Sequence, residues 1–419
     1  MEGYSSKLAL FQKPLLEEGV ENYSYVEYRP SSTITEGSSI EFHIPGSGPT
    51  YMDWSKSRLM IKVKLVTAGW EAIPDVPVCG PVKLTLHSLF KQVDVLVGGK
   101  NITAEVGLNN PYKAYINTCI LCGQDMKESQ LQAEGFYKDV GIMDADPTTG
   151  NDGLKARATL FSTGQDIQLE GPLKMDLAQQ SRLLLNGVPV VVKLFPSNPK
   201  FLMMNKSSVQ YKMVISEAAL KIWQAKVNPK IIVAHSEALN HGEALYPYWK
   251  SNLKAFSLPA GISSYTVEDL YNGLKPSRLI VAFVLNDAYG GNLELNPFNF
   301  KPFDLSFLQF TVDGNSVPEK AFQPNFQRGD WASAYYRMFF DQYHDGNFIT
   351  FTEFSAGYSF FCFNLDGQIT EDVMVEQRYG QCRLEMAFRT ALAKSVSMIV
   401  YAHFPAMLKV DKTRNTILV

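Results

Sequence analysis

The histidines and acids between residues 235 and 243 come nearest to a metal-binding pattern. His235-Ser236-Glu237 is followed closely by His241-Gly242-Glu243. Imidazole and carboxylate groups bind transition metals, and cupin-type enzymes hold a metal with a His-x-His pair and a nearby Glu. The spacing here differs, and Asn240-His241-Gly242 is typical of a turn rather than of a strand. We therefore expect solvated loop residues and no metal site.

Two further short patterns each lack part of a ligand set. Cys119-Ile120-Leu121-Cys122 places two thiols one helical turn apart, but zinc would need two more ligands, and there is no second cysteine pair. The stretch Asp144–Gly153 resembles a calcium loop, except that Pro147 stands where the loop must coil and Lys155 where a bidentate Glu belongs. We expect buried helix residues in the first case and a surface loop in the second.

Motifs for nucleophilic or phosphate chemistry are absent from the sequence. It has no glycine-rich phosphate loop, nucleophile elbow or kinase-type set. Carboxylate pairs for glycoside hydrolysis stay open, because such residues meet only in space. The sequence therefore predicts no catalytic, cofactor-binding or metal-ligating residues, no cofactor, and a protein that is not an enzyme. The histidines are scattered without triad spacing, at His43, His87, His235, His241, His344 and His403.

Composition excludes several other classes of protein. A chain of 419 residues is too long for one hydrophobic core, which favours two domains. With a net charge of −3 and no run of Lys or Arg, we expect no specific nucleic-acid binding. Five widely spread cysteines predict no disulfide framework and a reducing site of synthesis. The N-terminal apolar stretch is only Leu8–Phe11, so we expect neither a signal peptide nor a membrane span.

Short apolar runs separated by Gly, Pro, Asn and Asp clusters predict an all-β chain from Tyr25 onward. Arg58–Val66 alternates apolar and basic residues, as a half-buried strand does, and Gln92–Val97 ends at a tight Gly98-Gly99 turn. Helices are predicted at Tyr112–Leu121, at Trp331–Phe340 and from Thr266, where Asp269 completes a capping box. The other predicted strands are Ser39–Ile44, Val188–Leu194, Tyr211–Ile215, Lys230–Ala234, Leu279–Leu285, Phe307–Val312, Tyr358–Phe363, Arg383–Phe388 and Ser397–Ala402.

An internal repeat connects the two halves of the chain. Ser57-Arg58-Leu59-Met60-Ile61 recurs in the second half as Ser277-Arg278-Leu279-Ile280-Val281. The turn strand Val93–Lys100 matches Leu308–Asn315 at nearly the same offset, and Ala114-Tyr115 in one candidate helix matches Ala334-Tyr335 in another. Three matches in the same order favour a duplicated domain, the alternative being two unrelated β domains with similar turns.

The repeat predicts an all-β fold of two tandem eight-stranded jelly rolls, a double jelly roll, with a few short helices in loops. We place an N-terminal arm at 1–24, the first roll at 25–226, the second at 227–410 and a C-terminal tail at 411–419. Jelly rolls serve as capsids, lectins and cupins, so the fold does not choose the function.

Specific strings carry a resemblance from about residue 20 to the C-terminus. The chain resembles the hexon-like double jelly-roll major capsid proteins of the polinton and adintovirus type, in the lineage of adenovirus hexon. The strings are Glu27–Ser32, Ile40–Phe42, Ile44–Gly48, Tyr51–Asp53, Leu86–Phe90, Gln92–Asp94, Asn296–Phe300, Phe307–Pro318, Asn364-Leu365, Tyr401–Phe404 and Asp411–Asn415.

This resemblance implies a major capsid protein of a double-stranded DNA virus or virus-like element. It implies a homotrimer of near-hexagonal outline that tiles an icosahedral shell and contacts neighbouring capsomers, penton and minor or cement proteins. The location implied is the virion capsid, after synthesis in the cytoplasm or nucleus of the host cell. The segment Met1–Glu21 would extend under a neighbour or toward a cement protein, or be disordered. Candidates for outer towers are Asp144–Gly153 and Gln342–Asn347.

Two alternatives come from other functional classes. A carbohydrate- or receptor-binding β-sandwich of the spike or lectin kind would need exposed aromatic residues, for which Trp54, Trp70 and Trp249 are the candidates. A two-domain β-sandwich hydrolase would bring its carboxylates together only in the fold.

Overall fold

The computed structural model describes residues 19–69, 79–103, 107–148, 150–162, 164–207, 209–339, 346–366 and 376–418. The strands of the N-terminal half are β1 (Val20–Tyr28), β2 (Ile40–Ile44), β3 (Thr50–Thr67), β4 (Cys79–Pro81), β5 (Phe90–Val97), β6 (Lys100–Asn101), β7 (Ile167–Pro172), β8 (Val190–Pro196), β9 (Met203–Asn205) and β10 (Tyr211–Val227). Those of the C-terminal half are β11 (Ala244–Leu258), β12 (Ser264–Val267), β13 (Leu274–Lys275), β14 (Arg278–Leu285), β15 (Leu305–Val312), β16 (Asn315–Phe322), β17 (Phe361–Asn364), β18 (Arg378–Tyr379), β19 (Cys382–Phe388), β20 (Val396–Val410) and β21 (Thr416–Leu418).

Helices occupy the connections between strands. They are α1 (Thr85–Ser88), α2 (Asn110–Leu121), α3 (Gln124–Lys127), α4 (Asp152–Phe161), α5 (Pro199–Leu202), α6 (Pro229–Ala238), α7 (Asn286–Tyr289), α8 (Ala332–Arg337) and α9 (Phe351–Ser355). Among the residues that the structure describes, 3-10 turns span Gln130–Glu134 and Asp176–Gln179.

Two four-stranded antiparallel sheets form the N-terminal half, in the orders β1-β10-β3-β7 and β2-β8-β5-β6. The alternation predicted in β3 is confirmed, because Leu59, Ile61 and Val63 are buried while Lys62 and Lys64 are only half-buried. Side chains from both sheets belong to one buried core. Burying each Leu, Ile or Val there contributes about 1.5–3 kcal/mol relative to leaving it exposed.

The C-terminal half repeats this arrangement with β11-β20-β14-β17 and β12-β19-β15-β16. If the eight roll strands of each half are numbered in chain order, both halves have the sheet orders 1-8-3-6 and 2-7-4-5. Within the ranges described, no sheet combines strands of both halves. Two facing sheets of eight strands in this order are a jelly roll, so the predicted double jelly roll is confirmed.

The three sequence matches occupy equivalent places in the two rolls. Arg58 and Arg278 lie on β3 and β14, the third strand of each roll. The turns Gly98-Gly99 and Asp313-Gly314 both have positive φ at two residues and join the fourth strand to the fifth. This is the hairpin geometry that suits the twist of paired strands. The third match, Ala114-Tyr115 with Ala334-Tyr335, lies on α2 and α8, each of which follows the fifth strand of its roll. The repeat is therefore present in the structure as well as in the sequence.

One sheet of the second roll is covered on both faces. Successive strand side chains point to opposite faces, yet every residue of Arg278–Val284 on β14 is buried. The same holds for Val396–Phe404 on β20. The inner cover is the second sheet of the same roll, and part of the outer cover comes from the first roll, in contacts described below.

Two predicted elements are wrong. Lys230–Ala234 is not a strand but lies in helix α6, because the Asn228 side chain accepts from the Lys230 N–H and Pro229 begins the helix. The helix expected from Thr266 is strand β12, whose pairing with β19 outweighs the local capping pattern around Asp269.

The terminal boundaries also differ from the expected ones. Strand β1 begins at Val20, so the sheet includes the last residues of the expected arm. The expected tail contains β21, which pairs with Leu408–Val410. Helix α8 ends at Arg337 rather than at Phe340, which lies outside the described residues together with most of Gln342–Asn347.

Candidate functional site

The residues considered for metal chemistry do not come together. His235 lies on the exposed side of α6, where its Nδ1 is 2.9 Å from the Tyr51 hydroxyl, and His241 lies in the following turn. No group of three or more His, Cys, Asp or Glu that could hold a metal is found among the described residues. The arrangement around His235 is therefore a helix-to-strand contact at the junction of the rolls.

The thiols are not arranged for nucleophilic chemistry. Cys119 is buried in α2, and Cys122 follows the end of that helix. Burial raises the pKa of Cys122, and it raises the pKa of Cys79 to about 12 and that of Cys382 to about 11. Because the thiolate is the reactive form, these three groups are unreactive at neutral pH.

Of the aromatic residues considered for carbohydrate binding, those that the structure describes do not form an exposed cluster. Trp54 is buried in the first roll, so its choice as an exposed carbohydrate-binding residue is wrong. Trp249 on β11 is half-buried. Trp70 lies outside the described residues. Nor does any described helix combine the length and the apolar composition needed to cross a bilayer.

A buried ion cluster lies where the two rolls meet. The side chains of Asp139, Arg157 and Lys83 are all fully buried. The Arg157 guanidinium donates to the Asp139 carboxylate at 2.7 Å, and the Lys83 ammonium lies 3.4 Å from its other oxygen. Arg157 also donates to the backbone carbonyls of Pro81 and Tyr137, so it joins three segments of the first roll.

Electrostatics keep the carboxyl of this cluster ionised. Burial by itself would raise the pKa of Asp139, but the charges of Arg157 and Lys83 outweigh it, and the pKa lies below its usual value. Burial lowers the pKa of Lys83, an effect that Asp139 partly offsets. Each charge is therefore tolerated in the interior because the others are present.

The second roll contacts this cluster directly. Asn296 Nδ2 donates to Asp139 at 2.7 Å, and the Tyr358 hydroxyl donates to the Asp139 carbonyl at 2.8 Å. Lys83 lies 4.7 Å from the Tyr358 ring centroid, in a cation–π contact. Asp139 thus holds residues of both rolls at one point.

The loop that resembled a calcium site carries a second contact between the rolls. Asp144 accepts from the Asn296 N–H at 2.9 Å and from Asn299 Nδ2 at 2.7 Å, and Lys301 lies 3.3 Å away. Its carboxylate therefore binds the second roll. The loop ends where α4 begins, with the Asn151 side chain accepting from the Leu154 N–H.

Aromatic rings form the apolar part of the junction. Tyr112 on α2 stacks on Tyr289 of the second roll at 5.1 Å, and Tyr115 stacks on Phe298 at 4.3 Å. Phe201 of the first roll meets Phe298 edge-on. Helix α2 was expected to bury one face, but it is buried all round, from Asn110 to Ile120, because it lies between the rolls.

A third contact lies on the covered sheet of the second roll. Asp176 accepts from the Ser251 N–H and hydroxyl at 3.0 and 2.8 Å, and Lys113 lies 2.6 Å from the same carboxylate. Next to it, His403 is buried, and burial together with the charges of Arg278 and Lys113 lowers its pKa to about 3. His403 is therefore neutral at physiological pH.

The C-terminal strand returns to the first roll. The Thr416 hydroxyl donates to the Val97 carbonyl at 2.7 Å, next to the Gly98-Gly99 turn, and Arg414 donates to Asn186. Sequence reasoning missed this contact and the ion cluster alike. Lys83, Asp139 and Arg157 are isolated charges in the sequence, and no local spacing announces that they meet.

The charged groups of the junction are paired, and those of the Asp139 cluster are fully buried, which suits them to fixing the geometry of the two rolls. The hollow beside Asp176 and Ser251 measures about 30 Å³, enough for a water molecule. A larger groove, about 390 Å³, lies instead between β16 and α8 and is lined by residues such as Lys320, Asp330 and Trp331. It contains none of the residues of the junction.

Comparisons with known proteins place the fold among capsid structures. No protein-family model matches the chain. An uncharacterised protein of Caenorhabditis elegans is 23% identical over 399 residues, which cover 90% of this chain and 92% of the relative.

Solved structures match over nearly the whole chain. A chain of the Sputnik virophage structure, determined by cryo-electron microscopy, matches with a TM-score of 0.68 and 12% identity, covering 100% of this chain and 92% of the other. The mavirus major capsid protein matches with a TM-score of 0.56 and 10% identity, covering 100% and 93%. The Faustovirus major capsid protein matches with a TM-score of 0.56 and 9% identity, covering 96% and 92%. At these identities the likeness establishes the fold, which is the double jelly roll.

Proposed function

We propose that this chain is a major capsid protein of a double-stranded DNA virus or virus-like element, and that it acts by assembly rather than by catalysis. The observation that carries the proposal is the repetition of one eight-strand order in both halves. The likeness to viral major capsid proteins along the full chain supports it.

The duplication suits a shell that is tiled by trimers. Three copies joined in a closed ring would present six similar rolls, so a three-fold particle would have a near-hexagonal outline. The ring requires that the two rolls of one chain keep a fixed angle. The contacts of Asp139, Asp144 and Asp176 between the rolls meet that requirement.

The lineage and the partners belong to the same proposal. The strings quoted above favour the polinton and adintovirus type within the hexon lineage. Neighbouring capsomers, penton and minor or cement proteins are the partners that this role requires, and the virion capsid is the location. We keep the boundary between the rolls near residue 227, where β10 ends and α6 begins.

Light scattering on the purified protein after gel filtration tests the proposal. The measured mass should be three times the 46.9 kDa of one chain, and it should persist over a wide range of protein concentration. A stable monomer at high concentration would overturn the proposal.

A further inference from the structure

The first strand of each roll is an edge strand, and in the second roll this edge is covered within the chain. Arg182 donates to the carbonyl of Leu245 on β11 at 2.7 Å, and the Leu185 N–H donates to the Tyr246 hydroxyl at 3.1 Å. Both donors lie in the connection between β7 and β8 of the first roll. Two residues of this strand, Tyr246 and Tyr248, are only 4% and 3% exposed.

No other described strand covers the corresponding edge of the first roll, β1. Among the described residues β1 pairs only with β10, and every residue from Glu21 to Tyr25 is exposed. Tyr23 and Tyr25 are large side chains at this surface. A long open edge invites pairing with other chains, so natural proteins usually cover one.

Strand registers show which residues of the two edges correspond. Arg58 and Arg278 are equivalent residues of the repeated motif, and each lies on the third strand of its roll. Arg58 pairs with Lys221 on β10, which pairs with Glu27 on β1. In the same way Arg278 pairs with His403 on β20, which pairs with Ser251 on β11. Counting back along both strands, Asn22 corresponds to Tyr246.

By the same count Ser24 corresponds to Tyr248. The residues that are buried on β11 therefore have exposed counterparts at Asn22 and Ser24 on β1. The two strands differ in burial because the connection between β7 and β8 lies against β11, whereas no described segment other than the paired strand β10 lies against the same residues of β1.

The covering segment also has a counterpart. The connections 173–189 and 365–381, between the sixth and seventh strands of the two rolls, are equal in length. The next strands begin in the same register, since Val97 pairs with Val190 and Val312 with Cys382. Leu185 lies as many residues before Val190 as Gln377 lies before Cys382, so Leu185 corresponds to Gln377.

We propose that Gln377–Gly380 of one copy covers β1 of the next copy in the assembly, with Gln377 against Asn22. The contact would repeat between chains what Leu185 and Tyr246 do within one chain. In this segment Tyr379 is 75% exposed, the largest value among the exposed apolar and aromatic side chains described. The inference rests on the proposed trimer, because a head-to-tail contact between unlike surfaces closes only as a ring.

A charge placed on β1 tests the contact. Ser24 is exposed in one chain, so Ser24→Arg should leave the monomer folded, but in the assembly an unpaired guanidinium would have to be desolvated. We expect the concentration at which trimers dissociate to rise at least about tenfold. The matched control is Ser264→Arg on β12, another exposed strand serine outside the contact, which should dissociate as the wild type does.

Cross-linking supplies a second readout that does not depend on weakening the assembly. Asn22→Cys and Gln377→Cys in the same chain, treated with a short bis-maleimide, should give covalent dimers and trimers on a denaturing gel. Either single variant should stay at monomer mass, because the two surfaces of the contact are unlike.

The outcomes separate the contact from the proposed function. If the wild type and Ser24→Arg form trimers of equal stability, and the double cysteine variant gives no covalent dimers or trimers, the proposed contact is overturned and the capsid proposal still stands. A wild-type chain that is monomeric would overturn both. Loss of trimers in Ser24→Arg but not in Ser264→Arg, together with covalent dimers and trimers from the double cysteine variant, supports the contact.

Discussion

Replacing Asp139 by Asn tests whether the buried ion cluster holds the two rolls together. The change keeps the shape of the side chain and removes one charge. It leaves the Arg157 guanidinium, formerly at 2.7 Å from a carboxylate, and the Lys83 ammonium, formerly at 3.4 Å, without a counter-charge in the interior. It also weakens the acceptor of Asn296 Nδ2 in the second roll.

The size of the effect follows from the burial of all three groups. Removing one partner of a buried ion pair costs about 3–5 kcal/mol, because the remaining charge is uncompensated. Burial already lowers the pKa of Lys83, so this group can give up its proton and relieve part of the cost. Arg157 cannot do so. We therefore expect Asp139→Asn to lower the free energy of unfolding by about 3 kcal/mol near neutral pH.

Urea unfolding followed by circular dichroism at fixed protein concentration measures this loss. The control is Glu170→Gln, which breaks a 2.7 Å pair with Lys221 between two partly exposed side chains and should cost less than about 1 kcal/mol. Adding Lys83→Met to Asp139→Asn should recover part of the loss, since the two groups are coupled. The reasoning is refuted if Asp139→Asn and Glu170→Gln unfold alike.

Three further predictions concern the core and the junction. The folded chain keeps His403 neutral down to about pH 3, whereas the unfolded ring binds a proton below about pH 6.5. Acidification from pH 6.5 should therefore lower the free energy of unfolding by about 1.4 kcal/mol per pH unit. Urea unfolding of His403→Gln should lack this part of the dependence on pH. Gly153→Ala would place a Cβ 2.2 Å from the Lys138 carbonyl oxygen and should cost about 1–3 kcal/mol, whereas in Gly290→Ala the nearest atom is 3.8 Å away and the melting temperature should not change. Phe298→Ala should cost about 3–5 kcal/mol in urea unfolding, and a smaller loss would mean that the rings between the rolls do not stabilise them.

Periodicity, turn chemistry and the internal repeat together were enough to predict the fold. The alternation in Arg58–Val66 and the Gly98-Gly99 turn are local signals, and the structure contains the strand and the hairpin that they indicate. The repeat of Ser57–Ile61 at Ser277–Val281 extended the local reading to two rolls, because matched strings in the same order require matched strands.

One of the two errors came from a strand pairing that a local pattern does not contain, and the other from a local signal that was overlooked. Thr266 and Asp269 form a capping pattern, but β19 offers a strand partner that the pattern does not reveal. For Lys230–Ala234 the apolar run was read without the Asn228-Pro229 start signal, which was present in the sequence and missed.

The junction was not predictable from this single sequence. Lys83 and Asp139 are far apart along the chain, and Asn296 lies in the other half. Nothing near any of them marks a buried position. Asp144 shows the same limit, since the sequence predicts a surface loop around it, whereas its carboxylate contacts Asn296, Asn299 and Lys301 of the second roll.

Electron microscopy of the purified protein tests the central claim most directly, because it shows the fold, the number of copies and their arrangement in one image. Class averages should show three-fold particles whose outline has six similar lobes, one for each roll. Isolated two-lobed monomers at high concentration, or particles without three-fold symmetry, would contradict the assignment of this chain to a capsid shell.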